Sequence, residues 1–435
     1  MIIRINKMKY IWLPFKALSI YVLGLLLLSV IGPVKYDYNW VYFLIMTIYI
    51  IAFLIITWIG MAISSSYKCK FYSTDKRKRI LIRILKISII ITLIIKIMLV
   101  ISSIKLFGIP QGSNIFSMMA TIYSDLHHGQ DITNIYRQID TFCTFIYYFS
   151  TFISFFWKKN ISNKYFLIVI INILLDLFYQ VFYIGTQRSI ITMVILVISL
   201  FSVKAVSNGY KIDKAKFRKI IFIILVLVIF FMNILSARKQ LWNTSDAYIY
   251  AKTNFDYNNI FLMLFKDDKI KYNICNLISY FTQGYYGLSL CFQIPFQWTY
   301  MIGGARGLNS IISQILTSVP DFTLTTYPVR AGLIFGHDGL ANWYTIFPWL
   351  ASDYTFFGSL IYMGIVAMLF MRCWIQSIKY DNPIAFLMLV LLMIQYIFII
   401  ANNQLFIQRG ESVATIIILV IYIICNKKYN FLRKA

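Results

Sequence analysis

Long apolar runs joined by short polar connections set the pattern of this chain. Runs near 10–32, 39–63, 84–106, 141–157, 165–184, 189–206, 219–236, 349–374, 383–401 and 412–425 are each suited to cross a hydrocarbon core of about 30 Å as a helix. The alternation of β-barrel strands is absent. Between 237 and 348 the pattern breaks into mixed polar and apolar sequence, the one long stretch that does not read as spanning helix. Inside it, 273–294 is apolar enough to enter the membrane, and 298–318 is its natural companion. A pair of crossings preserves the orientation of everything downstream, whereas a single one reverses it. The reading is an all-α polytopic membrane protein with 10–12 transmembrane helices. It forms a single membrane domain over 1–435 that carries one large extracytoplasmic loop, 237–348.

Composition agrees: 60% of the 435 residues are hydrophobic and 13% charged, more apolar surface than a soluble fold of this length can hide. The net charge of +25 raises nucleic acid as a partner, but position argues against it. Basic residues gather in alternate connections: Arg4, Lys7 and Lys9; Lys68 to Arg83; Lys158, Lys159 and Lys164; Lys204 to Lys219; and Lys427 to Lys434. That is the positive-inside pattern, which places both termini in the cytoplasm and 33–38, 107–140, 185–188, 237–348 and 402–411 outside. The first span is long and lacks a small-residue cleavage site, so it reads as retained.

Charges within spans are costly and mark packing pairs or function. Lys96 and Asp176 lie at similar depth and suit a mutual salt bridge, either to fix helix packing or to serve substrate passage. Glutamate occurs once, at Glu411, which argues against a proton-coupled transporter lined with acids. The six cysteines form no metal pattern, and Cys275 and Cys291, the two in the outer region, read as lone thiols.

The outer face collects arginines beside turn residues: Arg188 after Gly185-Thr186-Gln187, Arg330 in Tyr327-Pro328-Val329-Arg330, and Arg409 after the Asn402–Gln408 loop. Arg238 and Arg306 are further candidates. Guanidinium groups suit multidentate contact with phosphate oxygens, although any one of them also suits a lipid headgroup. The run from Arg330 to Gly358 adds His337, Asp338, Trp343, Tyr344, Trp349 and Asp353. Its aromatics serve as interface anchors or as platforms for sugar rings. His337, Asp338 and Asp353 each suit a general base; equally, Asp338-Gly339 suits a turn and Asp353 a helix cap. No metal-ligand signature appears, and no metal or other cofactor is expected.

Several of these segments, taken in order, resemble Wzy-type O-antigen polymerases: Ser279–Leu290, Tyr327–Arg330, Asn342–Gly358 and Asn402–Phe406, with Gly185–Ser189 in the weaker N-terminal half. The resemblance implies a metal-independent glycosyltransferase of the bacterial inner membrane. Such an enzyme moves a growing glycan from undecaprenyl pyrophosphate onto a new lipid-linked oligosaccharide repeat unit at the outer face. Its partners are those lipid-linked oligosaccharides, membrane lipids and a chain-length regulator protein. Carried over by motif, Arg188, Arg330 and Arg409 bind pyrophosphate, and Tyr285, Trp343, Tyr344 and Trp349 hold glycan. His337 or Asp353 supplies the base, with Asp338 a further candidate, or catalysis rests on leaving-group stabilisation. The rival readings are an O-antigen ligase and a transporter or flippase of lipid-linked oligosaccharide.

Overall fold

A computed structural model describes residues 10–66, 75–108, 114–127, 135–208, 218, 229–234, 237 and 253–431. The helices are α1 (Leu13–Ile31), α2 (Trp40–Ser65), α3 (Asp75–Phe107), α4 (Ile115–His127), α5 (Ile135–Phe156), α6 (Asn163–Phe182) and α7 (Arg188–Ser207). They continue as α8 (Asp268–Cys291), α9 (Arg306–Ile315), α10 (Tyr327–Phe335), α11 (Ile346–Tyr380), α12 (Pro383–Ile397) and α13 (Arg409–Phe431). Among the described residues nine are long and apolar enough to cross a membrane: α1, α2, α3, α5, α6, α7, α11, α12 and α13. The chain is an all-α multi-pass membrane protein. The expected span at 219–236 falls mostly outside the described residues; of it, 229–234 are helical.

Local chemistry starts these helices where the apolar runs begin. Asn39 accepts the Val41 N–H at the head of α2, and Asn382 accepts those of Ile384 and Ala385 ahead of Pro383 in α12. α12 is buried along nearly its whole length, which its uniformly apolar sequence requires. α1 and α2 instead turn Ile20, Leu27, Ile48, Ile55 and Ile63 outward, an apolar rim suited to lipid. Where α2 crosses α11, Gly60 faces the Gly364 carbonyl so closely that a Cβ would collide with it. Small residues at such crossings let backbones meet without a hydrophobic drive between helices.

α5 begins at Ile135, ahead of the apolar run at 141, and its second turn carries Asp140 inward. There Asp140 meets Lys96 of α3 at 2.7 Å, and Lys96 also reaches Asp176 of α6 at 2.7 Å. The expected Lys96–Asp176 pair forms, with Asp140 as a third member that an N-terminal helix boundary had hidden.

The large loop is not wholly outside the bundle. α8 runs down beside α1, and the Tyr285 hydroxyl donates to the Val22 carbonyl at 2.8 Å. Val22 lies nine residues, or about 13 Å, below the end of α1 at Ile31. Phe292, just beyond α8, packs on Tyr49, nine residues inside α2. α8 therefore reaches roughly halfway along the spans and the chain then turns back, so 273–318 is a re-entrant segment rather than two further crossings. Its return arm holds the ten-residue α9 and irregular backbone, which membrane depth tolerates only against protein or a cavity. Near the mouth, β1 (Val34–Tyr36) pairs antiparallel with β2 (Thr253–Phe255), with Lys35 opposite Asn254. Cys275 and Cys291 stand at opposite ends of α8, some 24 Å apart by helix rise, which rules out a disulfide between them.

Candidate functional site

α11 is two helices in register across a break: Thr355 has φ 63 and ψ 168. A break leaves backbone carbonyls of the preceding turn without helical donors. The return arm supplies them, with the Thr299 N–H on the Ser352 carbonyl at 3.1 Å and the Trp298 indole N–H on the Asp353 carbonyl at 3.1 Å. The Asp353 side chain completes the join. It accepts the Thr299 hydroxyl at 2.5 Å and the Gly304 N–H at 3.0 Å. A Cβ on Gly304 would strike the Trp349 carbonyl, so the contact requires glycine. Asn403 then donates to the Gly304 carbonyl at 3.2 Å and is itself held by Gln395 at 3.1 Å. These ties fix the start of α9, and with it Arg306.

Arg306 opens into a cavity of about 1240 Å³ at the end of the bundle where α6 meets α7 and α12 meets α13. Its walls carry four guanidinium groups: Arg137, Arg188, Arg306 and Arg409. Arg306 has no ion-pair partner among the described residues, and its carbon sits 5.6 Å from the Trp349 ring centroid. Burial pulls its pKa below the usual range, and the carboxylates of Asp321 and Asp338 offset part of that cost. Arg409 is tied only to neutral groups, Ser310 at 2.6 Å and Gln314 at 2.8 Å, so its charge stays uncompensated by them. Arg188 is neutralised at close range by Glu411, at 2.5 Å.

Polar atoms without partners point the same way. The Trp349 indole nitrogen and the Asn402 side-chain oxygen are buried without a hydrogen bond, in residues that line this cavity. Buried polar groups are normally satisfied, so a missing donor and a missing acceptor in one cavity call for a ligand or water that offers both. Hydroxyl groups do. Trp343 and Tyr280, 5.2 Å apart edge to face, add aromatic surface to the wall, beside the amides of Asn342, Gln314, Gln404 and Gln408.

Of the residues read from the sequence, Arg188, Arg409, Trp343 and Trp349 line this cavity. Arg330, His337, Asp338, Tyr344, Asp353 and Tyr285 do not. Arg330 donates to the Pro295 carbonyl at 3.0 Å on another side of α10. His337 is fully buried against Tyr286 and Tyr344, and burial, against a weak bond to the Trp343 carbonyl, brings its pKa down to about 4. The exposed Asp338 takes the Leu340 N–H in a turn, as the alternative reading of Asp338-Gly339 has it. Tyr344 and Tyr285 are wholly buried and donate to the carbonyls of His337 and Val22.

Two wall residues carry chemistry that sequence reasoning had passed over or placed second: Arg306 and Asp321. Among the described residues Asp321 is the one carboxylate on the cavity wall. Partial burial pushes its pKa up, but donation from Thr323 and Asn309 outweighs this and lowers it, keeping the group ionised. Among the described residues no group of three His, Cys, Asp or Glu side chains is placed to hold a metal ion.

No protein-family model, no curated protein and no solved structure matches this chain.

Proposed function

We propose that this chain is a metal-independent membrane glycosyltransferase that polymerises undecaprenyl-pyrophosphate-linked oligosaccharide repeat units. It works on the outward face of the bacterial cytoplasmic membrane, with both termini inside. The observation that carries the reading is the cavity itself: among the described residues four guanidinium groups share it with an unpartnered indole N–H, an unpartnered amide oxygen and the rings of Trp343 and Tyr280. A pyrophosphate diester and a sugar in one molecule call for that combination.

In this reading Arg306, Arg188 and Arg409 take the pyrophosphate of the growing chain and stabilise charge as it leaves. Asp321 receives the proton of the acceptor hydroxyl. The bond from the anomeric carbon to the pyrophosphate oxygen breaks, the bond to the acceptor oxygen forms, and undecaprenyl pyrophosphate departs. Trp349, Trp343 and Tyr280 hold the sugar rings. The sequence resemblance supports the same class of substrate.

Deletion of the gene in its host tests the reading. Loss of long glycan with a single repeat unit still attached to its carrier is the expected outcome. Complete loss of attached glycan favours the ligase instead, and repeat units stranded on the inner leaflet favour the flippase.

A further inference from the structure

Behind the large cavity lies a small one of about 40 Å³, lined by Lys96, Asp140, Tyr147, Asp176, Arg188 and Glu411 among others. Arg188 alone lines both. Two cations, Lys96 and Arg188, face three carboxylates there, Asp140, Asp176 and Glu411, so the ionised cluster carries one negative charge more than positive. The side chains are 4–18% exposed. Holding a net charge at such depth is costly. A second observation points into the same space: among the described residues the Tyr147 hydroxyl lies against Asp176 without a well-formed hydrogen bond, although the residue is only 6% exposed. A cavity this size holds at least one water or protonated group alongside it.

Glu411 binds Arg188 at 2.5 Å through one oxygen and accepts the Tyr148 hydroxyl at 3.1 Å through the other. Its carboxylate occupies the guanidinium that an anion entering the large cavity needs. We propose that Glu411 is a built-in competitor for Arg188, and that anion binding there releases it to take one proton into the small cavity. The inference rests on the reading of the large cavity as an anion site. No covalent step is involved; a proton from water joins the freed carboxylate while Arg188 keeps its charge.

The groups around Glu411 are accounted for by element. α5 brings Asp140, Tyr147 and Tyr148, with Arg137 one turn before Asp140, α7 brings Arg188, α6 brings Asp176, and α3 brings Lys96. α9 and α12, also packed on α13, carry Arg306 and Tyr396, and Arg409 lies on α13 itself. Lys96 is already shared by two acids, so it cannot replace Arg188 for a third.

The test is calorimetric titration of the full chain in lipid nanodiscs with dicitronellyl diphosphate, a diester whose two charges do not titrate near neutrality. Run in buffers of different ionisation heat between about pH 5.5 and 8, it counts the protons taken up on binding. The expected result is uptake of about one proton per anion, with affinity rising as pH falls by up to about tenfold per unit. Glu411→Gln is expected to bind more tightly, with affinity flat in pH. Wild-type binding without proton uptake overturns the proposal and leaves the anion site standing. So does undiminished uptake in Glu411→Gln, which would move the proton to Asp321 or another acid. Absence of wild-type binding overturns the anion site and this proposal together. The wild-type count is informative whether or not the variant folds.

Discussion

Arg306 rests its guanidinium over the indole of Trp349, 5.6 Å from the ring centroid, and the nitrogen of that same indole has no partner. One residue thus offers a face to a cation and an edge to a ligand. The pair joins the anionic and hydroxylic halves of the substrate proposed above at a single point of the cavity wall.

Arg306→Ala removes a guanidinium that, among the described residues, forms no ion pair and sits against Trp349. Turnover on lipid-linked repeat units is expected to fall by about 10²–10³-fold, the loss typical of one donor to developing charge. Arg330→Ala forfeits one hydrogen bond to Pro295 outside the cavity, and is expected to cost less than about tenfold. Glycan ladders from the two variants at matched membrane levels check the contrast; equal defects would return Arg330 to the site.

Trp349→Phe keeps a ring beneath Arg306 and deletes the unpartnered N–H together with part of the indole. If a substrate hydroxyl meets that nitrogen, apparent affinity for the repeat unit drops by about tenfold, the worth of one hydrogen bond near 1.4 kcal/mol. An unchanged KM assigns the nitrogen to water.

Asp321→Asn preserves shape and bonding to Asn309 while removing the carboxylate. Loss of about 10²–10⁴ in kcat with little change in KM is expected of a general base. Asp353→Asn behaves differently, because that carboxylate accepts from Thr299 and Gly304 and holds the break in α11 together. Its expected signature is a lower unfolding temperature and less protein in the membrane.

His337 gives a pH prediction for stability. Burial holds its folded pKa at about 4, below the ordinary 6.5, so between those values the unfolded chain binds more protons. Stability is full above about pH 6.5 and declines as pH falls toward 4, by something on the order of 3 kcal/mol. Comparing thermal unfolding of wild type and His337→Gln across that range checks it. The variant is expected to lose part of the slope.

Hydropathy alone revealed the spans, because about 20 apolar residues in a row have few other homes. At α8 it marked 273–294 as apolar enough to enter the membrane but not how deep the segment goes, which packing against α1 decides. The Lys96–Asp176 pair was readable because both residues interrupt apolar runs; Asp140 was not, since it precedes one. At the site, Arg188 and Arg409 stood out beside short turns. Arg306 did not, because ties distant in sequence, from Asp353 and Asn403 to Gly304, fix the start of its helix. His337 and Asp353 have the right functional groups for a base, but both lie away from the cavity wall, His337 buried against aromatic rings and Asp353 held by Thr299 and Gly304. Which way a side chain faces across a broken helix leaves no periodic trace in the sequence.

The hydrogen bond from Tyr285 to Val22 joins residues 263 apart in the chain. At roughly 5–20 residues per second, some 13–50 s of synthesis separate the two. α1 and α2 are thus already in the bilayer as a waiting dock when α8 emerges, and β1 stays an open edge until β2 arrives. The re-entrant segment thus meets α1 and α2 first, and α11 to α13, made after it, supply the remaining cavity wall from Trp349 to Arg409.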